Sequence, residues 1–391
     1  MTKPAPLARA RAIAPTLEAN AQRAEDERTL PAPSVAALVE ADLFRLALPR
    51  ELGGAEADFA TAIAVWEEVA RADGSAGWTL MANGSGSGAA SAYLSDDAVA
   101  KVFGGDPAAT VGGQFAPRGT GVREGNGYRV TGSFSFGSGS GHSRYVSAGF
   151  IPLENGAPVM LPSGLPDMRA GFVPREQIEF TDNWHVMGLS GTGSYDYEVK
   201  GVLVPDGFHF PLFGREPKRG GDTFRAVFRL NMMPMTAAGH AAFALGVGRR
   251  ALDEIRAIAT SRQRMGDPTP LAGRLTFQRD YAAAEAKLRA ARVFVLDAFA
   301  ALEATARAGA AETIEQRALV RTATCFATDA AREACDFAHL RAGTVAIRDG
   351  SPIQRCFRDI HTASQHAFIG EKVYADAGTV LLGTVADVIG L

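Results

Sequence analysis

The chain has 391 residues, 47% of them hydrophobic and 21% charged, the balance of a globular protein with ample core, which excludes a disordered tail. A formal net charge of −3 gives no general pull toward nucleic acid or an acidic membrane. Three cysteines without a CxxC pair exclude a disulfide framework and a cysteine-built zinc site, and fit the reducing cytoplasm.

The N-terminal MTKPAPLARARAIAP lacks the apolar run of a signal peptide. No later window offers about twenty uninterrupted apolar residues, so no membrane span is expected. From Leu7 to about Phe103 the spacing of Ala and Leu predicts helices. Ser34 reads as the N-cap of a run to Phe44. The run Asp58 to Arg71 puts Phe59, Ile63, Trp66 and Val69 on one face, and Asp73-Gly74 reads as its stop, glycine supplying the positive φ. From about Ala108 to Phe213 the texture changes: short alternating segments, nearly half of the 43 glycines, a hairpin signal at Gly125-Asn126-Gly127, and a strand entering a turn at Leu203 to Gly207. This predicts an all-β module. Helical periodicity then returns over Ala237 to Arg262, Leu275 to Ala308, Thr313 to Ala342 and Cys356 to Leu382, alanine-rich stretches that favour an antiparallel bundle.

The glycine strings fail as phosphate loops. Gly137-Ser138-Gly139-Ser140-Gly141-His142 and Gly84-Ser85-Gly86-Ser87-Gly88-Ala89 both miss the last glycine of G-x-G-x-x-G, and neither opens a strand–turn–helix unit. There is no P-loop and no G-x-S-x-G nucleophile elbow. The seven histidines show no H-E-x-x-H pattern, so no metal centre is expected.

Three segments, in order, resemble one family: Asp182 to Ser194 (DNWHVMGLSGTGS), Arg262 to Gly266 (RQRMG, similar to R-x-x-F-G), and Ser351 to His366 (SPIQRCFRDIHTASQH, similar to an R-x-x-RD segment). Leu48 to Gly54 (LPRELGG) is similar to a turn of the same family. On these strings the chain is identified as a member of the acyl-CoA dehydrogenase superfamily. The resemblance implies an α+β multi-domain fold: an N-terminal α-helical domain (1–107), a central β-barrel or sandwich domain (108–222) and a C-terminal four-helix bundle (223–391).

Many dehydrogenases of that superfamily carry a glutamate base in a Tyr-Glu-Gly string after the Arg-Asp pair; here His366 and Ala367 fall in its place. Others carry the base on an earlier helix. The Trp184 to Ser194 string, Phe134 to Gly139 and Gly77-Trp78 resemble instead the oxygenase components of two-component flavin monooxygenases. That branch implies reduced flavin (FMNH2 or FADH2) delivered by a separate NAD(P)H:flavin reductase, and O2 as co-substrate, adding at the flavin C4a as a hydroperoxide. It further implies a small aromatic or heteroaromatic substrate, no metal, and a homotetramer or dimer. By the same resemblance His366 and Ser138 are the catalytic candidates, and Phe136, Ser138, Trp184 and Arg262 the cofactor-binding ones. Imidazole, with an ordinary pKa of about 6.5, suits a proton relay near neutrality, and a guanidinium suits flavin phosphate. Each also has a plainer reading. His366, flanked by Ala367, Phe368 and Ile369, reads as a hydrogen-bonded core histidine, Ser138 as a turn serine, Trp184 as packing and Arg262 as a solvated helix end. His361 can pair with Asp359, and Arg358 with Asp359 reads as an ion pair. The alternatives for the whole chain are a true acyl-CoA dehydrogenase, with FAD, and a non-catalytic, flavin-free binding protein.

Overall fold

A computed structural model describes residues 4–230, 233–261 and 269–385. Five helices come first: α1 (Pro6–Glu27), α2 (Ala32–Glu40), α3 (Phe59–Ala72), α4 (Gly74–Tyr93) and α5 (Asp96–Phe103). Helix α2 starts earlier than expected. Pro33 sits in its first turn, where a fixed φ and a missing N–H cost nothing, so Ser34 lies buried inside the helix and caps nothing. Asp58 caps α3 by accepting from the Thr61 amide at 2.8 Å. The stop after α3 is also not the one expected. Asp73 is extended there, and its carboxylate accepts from the Ala76 amide at 2.9 Å; Gly74 is simply the first residue of α4.

Helix α4 is buried along nearly its whole length and packs on α3, α7 and the sheet. Its glycines make that possible. A Cβ on Gly77 would lie 2.5 Å from the Cα of Ala70 on α3, and one on Gly86 would lie 3.0 Å from the Val111 carbonyl oxygen. The run Gly84 to Gly88 is therefore packing surface inside a helix.

Eight strands follow: β1 (Val111–Glu124), β2 (Gly127–Phe134), β3 (Tyr145–Glu154), β4 (Ala157–Pro158), β5 (Arg169–Pro174), β6 (Glu179–Thr181), β7 (Asp196–Pro205) and β8 (His209–Pro211). They form one connected mixed sheet in the order β6–β7–β2–β1–β3–β5–β8, with β4 on β3. Only β1 and β3 pair in parallel. The β1–β2 hairpin turns where the Gly-Asn-Gly string predicts, with Glu124 opposite Gly127.

The helices α6 (Asp222–Arg229), α7 (Met233–Ser261), α8 (Leu275–Arg307), α9 (Ile314–Ala342), α10 (Pro352–Ala363) and α11 (Glu371–Leu381) complete the chain. Helix α7 packs on α8, α9 and α10, and also on α3 and α4. The last expected helix, Cys356 to Leu382, is in fact two. It breaks at residues 364–370, where Gly370 takes φ +135 and the His366 ring accepts a backbone N–H that a continuous helix would have used within itself. One hydrophobic core runs through the first helices, the sheet and α6 to α10, and a small second cluster of Ala318, Ala377 and Val380 seats α11 on α9. Among the described residues no helix is long and apolar enough to cross a membrane, and no cluster of metal-binding side chains occurs.

Candidate active site

Trp78, one turn into α4, stands between the sheet and the bundle. Its indole Nε1 donates to the Ser138 hydroxyl at 3.1 Å. The same ring lies edge-on to His240 and Phe243 of α7, at centroid distances of 4.9 and 5.1 Å, and to His366 at 5.9 Å. The two catalytic candidates, His366 and Ser138, are thus both brought against one tryptophan, Ser138 from the sheet and His366 from the bundle.

On the sheet side, Ser138 sits in the β2–β3 loop. Gly139 takes φ +70 there, against Asn83 of α4, and a Cβ would come within 2.5 Å of that side chain. Phe134 is buried and stacked on Tyr197, whereas Phe136 is 66% exposed. Phe136 also holds a left-handed backbone, φ +62, with its N–H on the Asp196 carboxylate at 3.2 Å. A bulky residue in that region is strained, and such strain gathers where a surface must be presented. The Phe136 ring stands edge-on to Trp184, whose indole donates to the Leu189 carbonyl at 3.2 Å. Trp184 is therefore packed, with the exposed Phe136 ring against it.

Leu189 is the pivot of the Asp182 to Ser194 string. It too is left-handed, φ +58, and its N–H donates to Asp359 of α10 at 2.6 Å. Gly188 has no room for a side chain: a Cβ would lie 2.2 Å from the Arg358 carbonyl oxygen. The expected Arg358–Asp359 ion pair does not form. Arg358 binds Glu25 at 2.6 Å and Met187 O at 2.9 Å, while Asp359 faces Leu189. His361 pairs with Asp336 at 2.8 Å, not with Asp359. Burial pushes the Asp359 carboxyl up to about 7, with Asp73 and Glu25 adding to the rise against the Leu189 N–H and Arg358; burial likewise lifts Asp73 to about 6.

On the bundle side, His366 lies in the break between α10 and α11. The Phe368 N–H donates to its Nδ1 at 3.2 Å. A backbone amide can only donate, so the neutral ring carries its proton on Nε2. The Phe368 carbonyl accepts from Arg321 Nη2 at 3.2 Å, and the guanidinium covers the Phe368 ring at 4.1 Å. His240, buried on α7, has its ring 4.3 Å from that of His366. Burial, with the Arg321 charge as second cause, brings His366 down to about 4. Burial, then His366 and Arg321, hold His240 well below the ordinary histidine range. Both imidazoles are neutral at pH 7.

The residues of the cleft fit a flavin. Phe136 offers an apolar ring that is two-thirds exposed, Ser138 and Trp78 carry hydrogen-bonding groups, and the imidazoles beside Trp78 are uncharged. Arg262 lies outside the described residues. Sequence reasoning missed His240, whose only signal is a histidine inside the buried apolar run Ala237 to Leu245, and it missed Thr192 and Ser194 as members of the site.

Residues 8–101 match the family described as acyl-CoA dehydrogenase, N-terminal domain, and residues 238–371 match acyl-CoA dehydrogenase, C-terminal domain. The chain is 30% identical to the indole-3-acetate monooxygenase of Pseudomonas putida, over 87% of this chain and 84% of the relative. The chain belongs to the acyl-CoA dehydrogenase superfamily. It is 29% identical to the flavin-dependent monooxygenase oxygenase subunit HsaA of Rhodococcus jostii, over 94% of this chain and 96% of the relative. The crystal structure of the 3-HSA hydroxylase from Rhodococcus sp. RHA1 superposes with a TM-score of 0.84 at 27% identity, covering 97% of both chains. Within the superfamily these neighbours are flavin-dependent monooxygenases, the branch that the strings around Trp184, Ser138 and Trp78 resemble.

Proposed function

We propose that the protein is the oxygenase component of a two-component flavin-dependent monooxygenase that hydroxylates a small aromatic or heteroaromatic substrate. The carrying observation is the pair of neutral imidazoles, His366 and His240, where a dehydrogenase needs a carboxylate base. Ala367, at the glutamate position of the Tyr-Glu-Gly string, is exposed and carries no acid. The earlier-helix route is filled as well: the α7 residue beside His366 is His240, while Asp253 and Glu254 are bound to arginines.

A reduced flavin, FMNH2 or FADH2, supplies two electrons and the ring that activates O2. The chain's own groups do the rest. His366 holds a proton at Nε2, fixed there by the Phe368 N–H at Nδ1, so it can donate a hydrogen bond from Nε2 to an anion developing beside it. Burial of Trp78, His240 and Phe243 keeps water from that proton. Ser138 borders the flavin edge, and Phe136 and Trp184 wall its face. Arg262 is retained in the proposal for the flavin phosphate, on the resemblance of its string. The reading includes a separate NAD(P)H:flavin reductase, the boundaries 1–107, 108–222 and 223–391, no metal and a reducing, cytoplasmic setting, which three buried unpaired thiols favour. It also includes a homotetramer or dimer assembled through the bundle, where Leu275, Val293 and Leu340 are exposed.

The test supplies FMNH2 or FADH2 through a flavin reductase, under isotopically labelled O2, with a panel of aromatic substrates including indole. One labelled oxygen in a hydroxylated product is the expected result. Reduction of a tightly bound flavin by an acyl-CoA, with no labelled product, would establish a dehydrogenase instead.

A further inference from the structure

Arg321, on α9, is a buried cation without an anion. It is 5% exposed, and among the described residues no carboxylate pairs with it. Its contacts are the Phe368 carbonyl, on Nη2 at 3.2 Å, and the Phe368 ring, 4.1 Å from the guanidinium. Its Nε is buried and has no hydrogen-bond partner among the described residues. Arg219, 7% exposed, shows the ordinary arrangement, with Asp96 at 2.6 Å. A guanidinium keeps its charge, and a buried charge is costly unless it is paired.

Arg321 lines a small pocket between α7, α8 and α9, whose apolar walls are Met233, Ala237, Leu302 and Val320. Glu312 and Arg317 share the rim, and it is the Arg317 charge that acts on the Glu312 carboxyl, against the rise caused by burial. The space is about 20 Å³, room for a water-sized polar group and not for an aromatic ring. Ala237 lies one turn before His240 on the same face of α7, so the pocket adjoins the imidazole pair. Phe368 joins the two, stacked on His240 at 5.6 Å and lying under the guanidinium.

We infer that Arg321 is the counter-ion of a carboxylate on the aromatic substrate, so that the site takes an aryl acid in preference to the corresponding amide. One guanidinium beside two neutral imidazoles leaves a local charge of one, which a monoanion cancels and a phosphate dianion overshoots. A carboxylate presents two coplanar oxygens, the geometry that a guanidinium fork accepts. The pocket admits that group alone, which leaves the ring on the side of His240 and Trp78. Arg321 thus sets specificity from a point away from the reacting atoms. This inference rests on the flavin monooxygenase reading of the site.

The experiment is anaerobic binding of benzoate, phenylacetate and indole-3-acetate, and of their amides, to the protein loaded with dithionite-reduced FMN, for the wild type, Arg321→Met and Arg321→Lys. At least one acid should bind the wild type more tightly than its amide does. Arg321→Met should weaken that acid by about tenfold to hundredfold, the worth of a hydrogen bond to a charged group, and the amide by less than about threefold. Arg321→Lys keeps the charge but not the fork and should fall between the two. A wild type that binds reduced FMN but prefers no acid to its amide overturns the inference and leaves the flavin reading standing. Variants folded by circular dichroism that weaken acid and amide equally do the same. Reduced riboflavin, which has no phosphate, tests the other source of an oxyanion: if Arg321→Met loses FMN but keeps riboflavin and the acid preference, the guanidinium belongs to the flavin phosphate and the inference fails. A wild type that binds neither reduced flavin nor any acid overturns both.

Discussion

Replacing Asp359 by asparagine removes a titrating proton from beneath the cleft while leaving an oxygen to receive the Leu189 N–H, which now sits 2.6 Å from Asp359 Oδ1. The wild-type carboxyl is raised from 3.8 to about 7, chiefly by burial. The folded state therefore binds a proton that the unfolded state has lost, and stability from this group is present below pH 3.8 and drains away as pH rises toward 7. Between pH 5 and pH 8 the loss amounts to about 2 to 3 kcal/mol, since each tenfold change in proton activity is worth about 1.4 kcal/mol while the carboxyl titrates. Relative to the wild type, Asp359→Asn should gain about that amount of stability between pH 5 and pH 8. Urea unfolding of both proteins at the two pH values measures it. The buried histidines act in the opposite sense. His366 and His142 are held near 4, and His240 is lowered too, so they cost stability as pH falls from 6.5. They are common to both proteins and cancel in the difference. Parallel pH profiles for wild type and variant would refute the buried-acid account of Asp359. A third variant, Asp359→Ala, leaves the Leu189 N–H without a partner and should be less stable than Asp359→Asn by about 1 to 3 kcal/mol.

His366→Ala should leave the fold intact and divert O2 into hydrogen peroxide, read as peroxide released per NADH consumed; unchanged coupling removes His366 from its hydrogen-bonding role. The acid limb of wild-type coupling should fall near pH 4, where His366 gains its second proton, and a midpoint near 6.5 would contradict the burial of that ring. Phe136→Ala, at an exposed ring, should barely change thermal stability but weaken flavin binding several-fold, measured by fluorescence titration; equal affinity would remove the wall. Gly77→Ala sets a Cβ 2.5 Å from the Ala70 backbone and should cost about 1 to 3 kcal/mol, seen as a lowered thermal midpoint.

The helix–sheet–helix order was legible because periodicity and glycine density change sharply near residues 108 and 222, and the hairpin at Gly125-Asn126 carried its own turn chemistry. Family strings brought Phe136, Ser138, Trp184 and His366 to the cleft region. Other features were hidden for physical reasons. The pattern around Cys356 to Leu382 stays apolar at helical spacing, so nothing local announces that the His366 ring and Arg321 together capture Phe368 and break the helix. His240 reads as one polar letter in a buried stretch, and its meaning comes only from a ring brought next to it from α10's end. The Ser138–Ser194 hydrogen bond joins residues 56 apart in sequence, with no spacing rule to reveal it. Asp73 and Asp359 likewise look like ordinary surface acids until α1, α4 and α10 close over them.

Helix α4 touches the first helices, the sheet and the bundle, and it buries almost every residue it has. A helix shared in this way ties the three parts into one cooperative unit, because none can open without stripping a face of α4. Fragments cut near residue 107 would each inherit half of an interface, with Trp78 and Phe243 left bare in water. Domain shuffling within this superfamily therefore meets its resistance at α4, and exchanges that carry α4 together with β1 and α7 are the ones that should give soluble chimaeras.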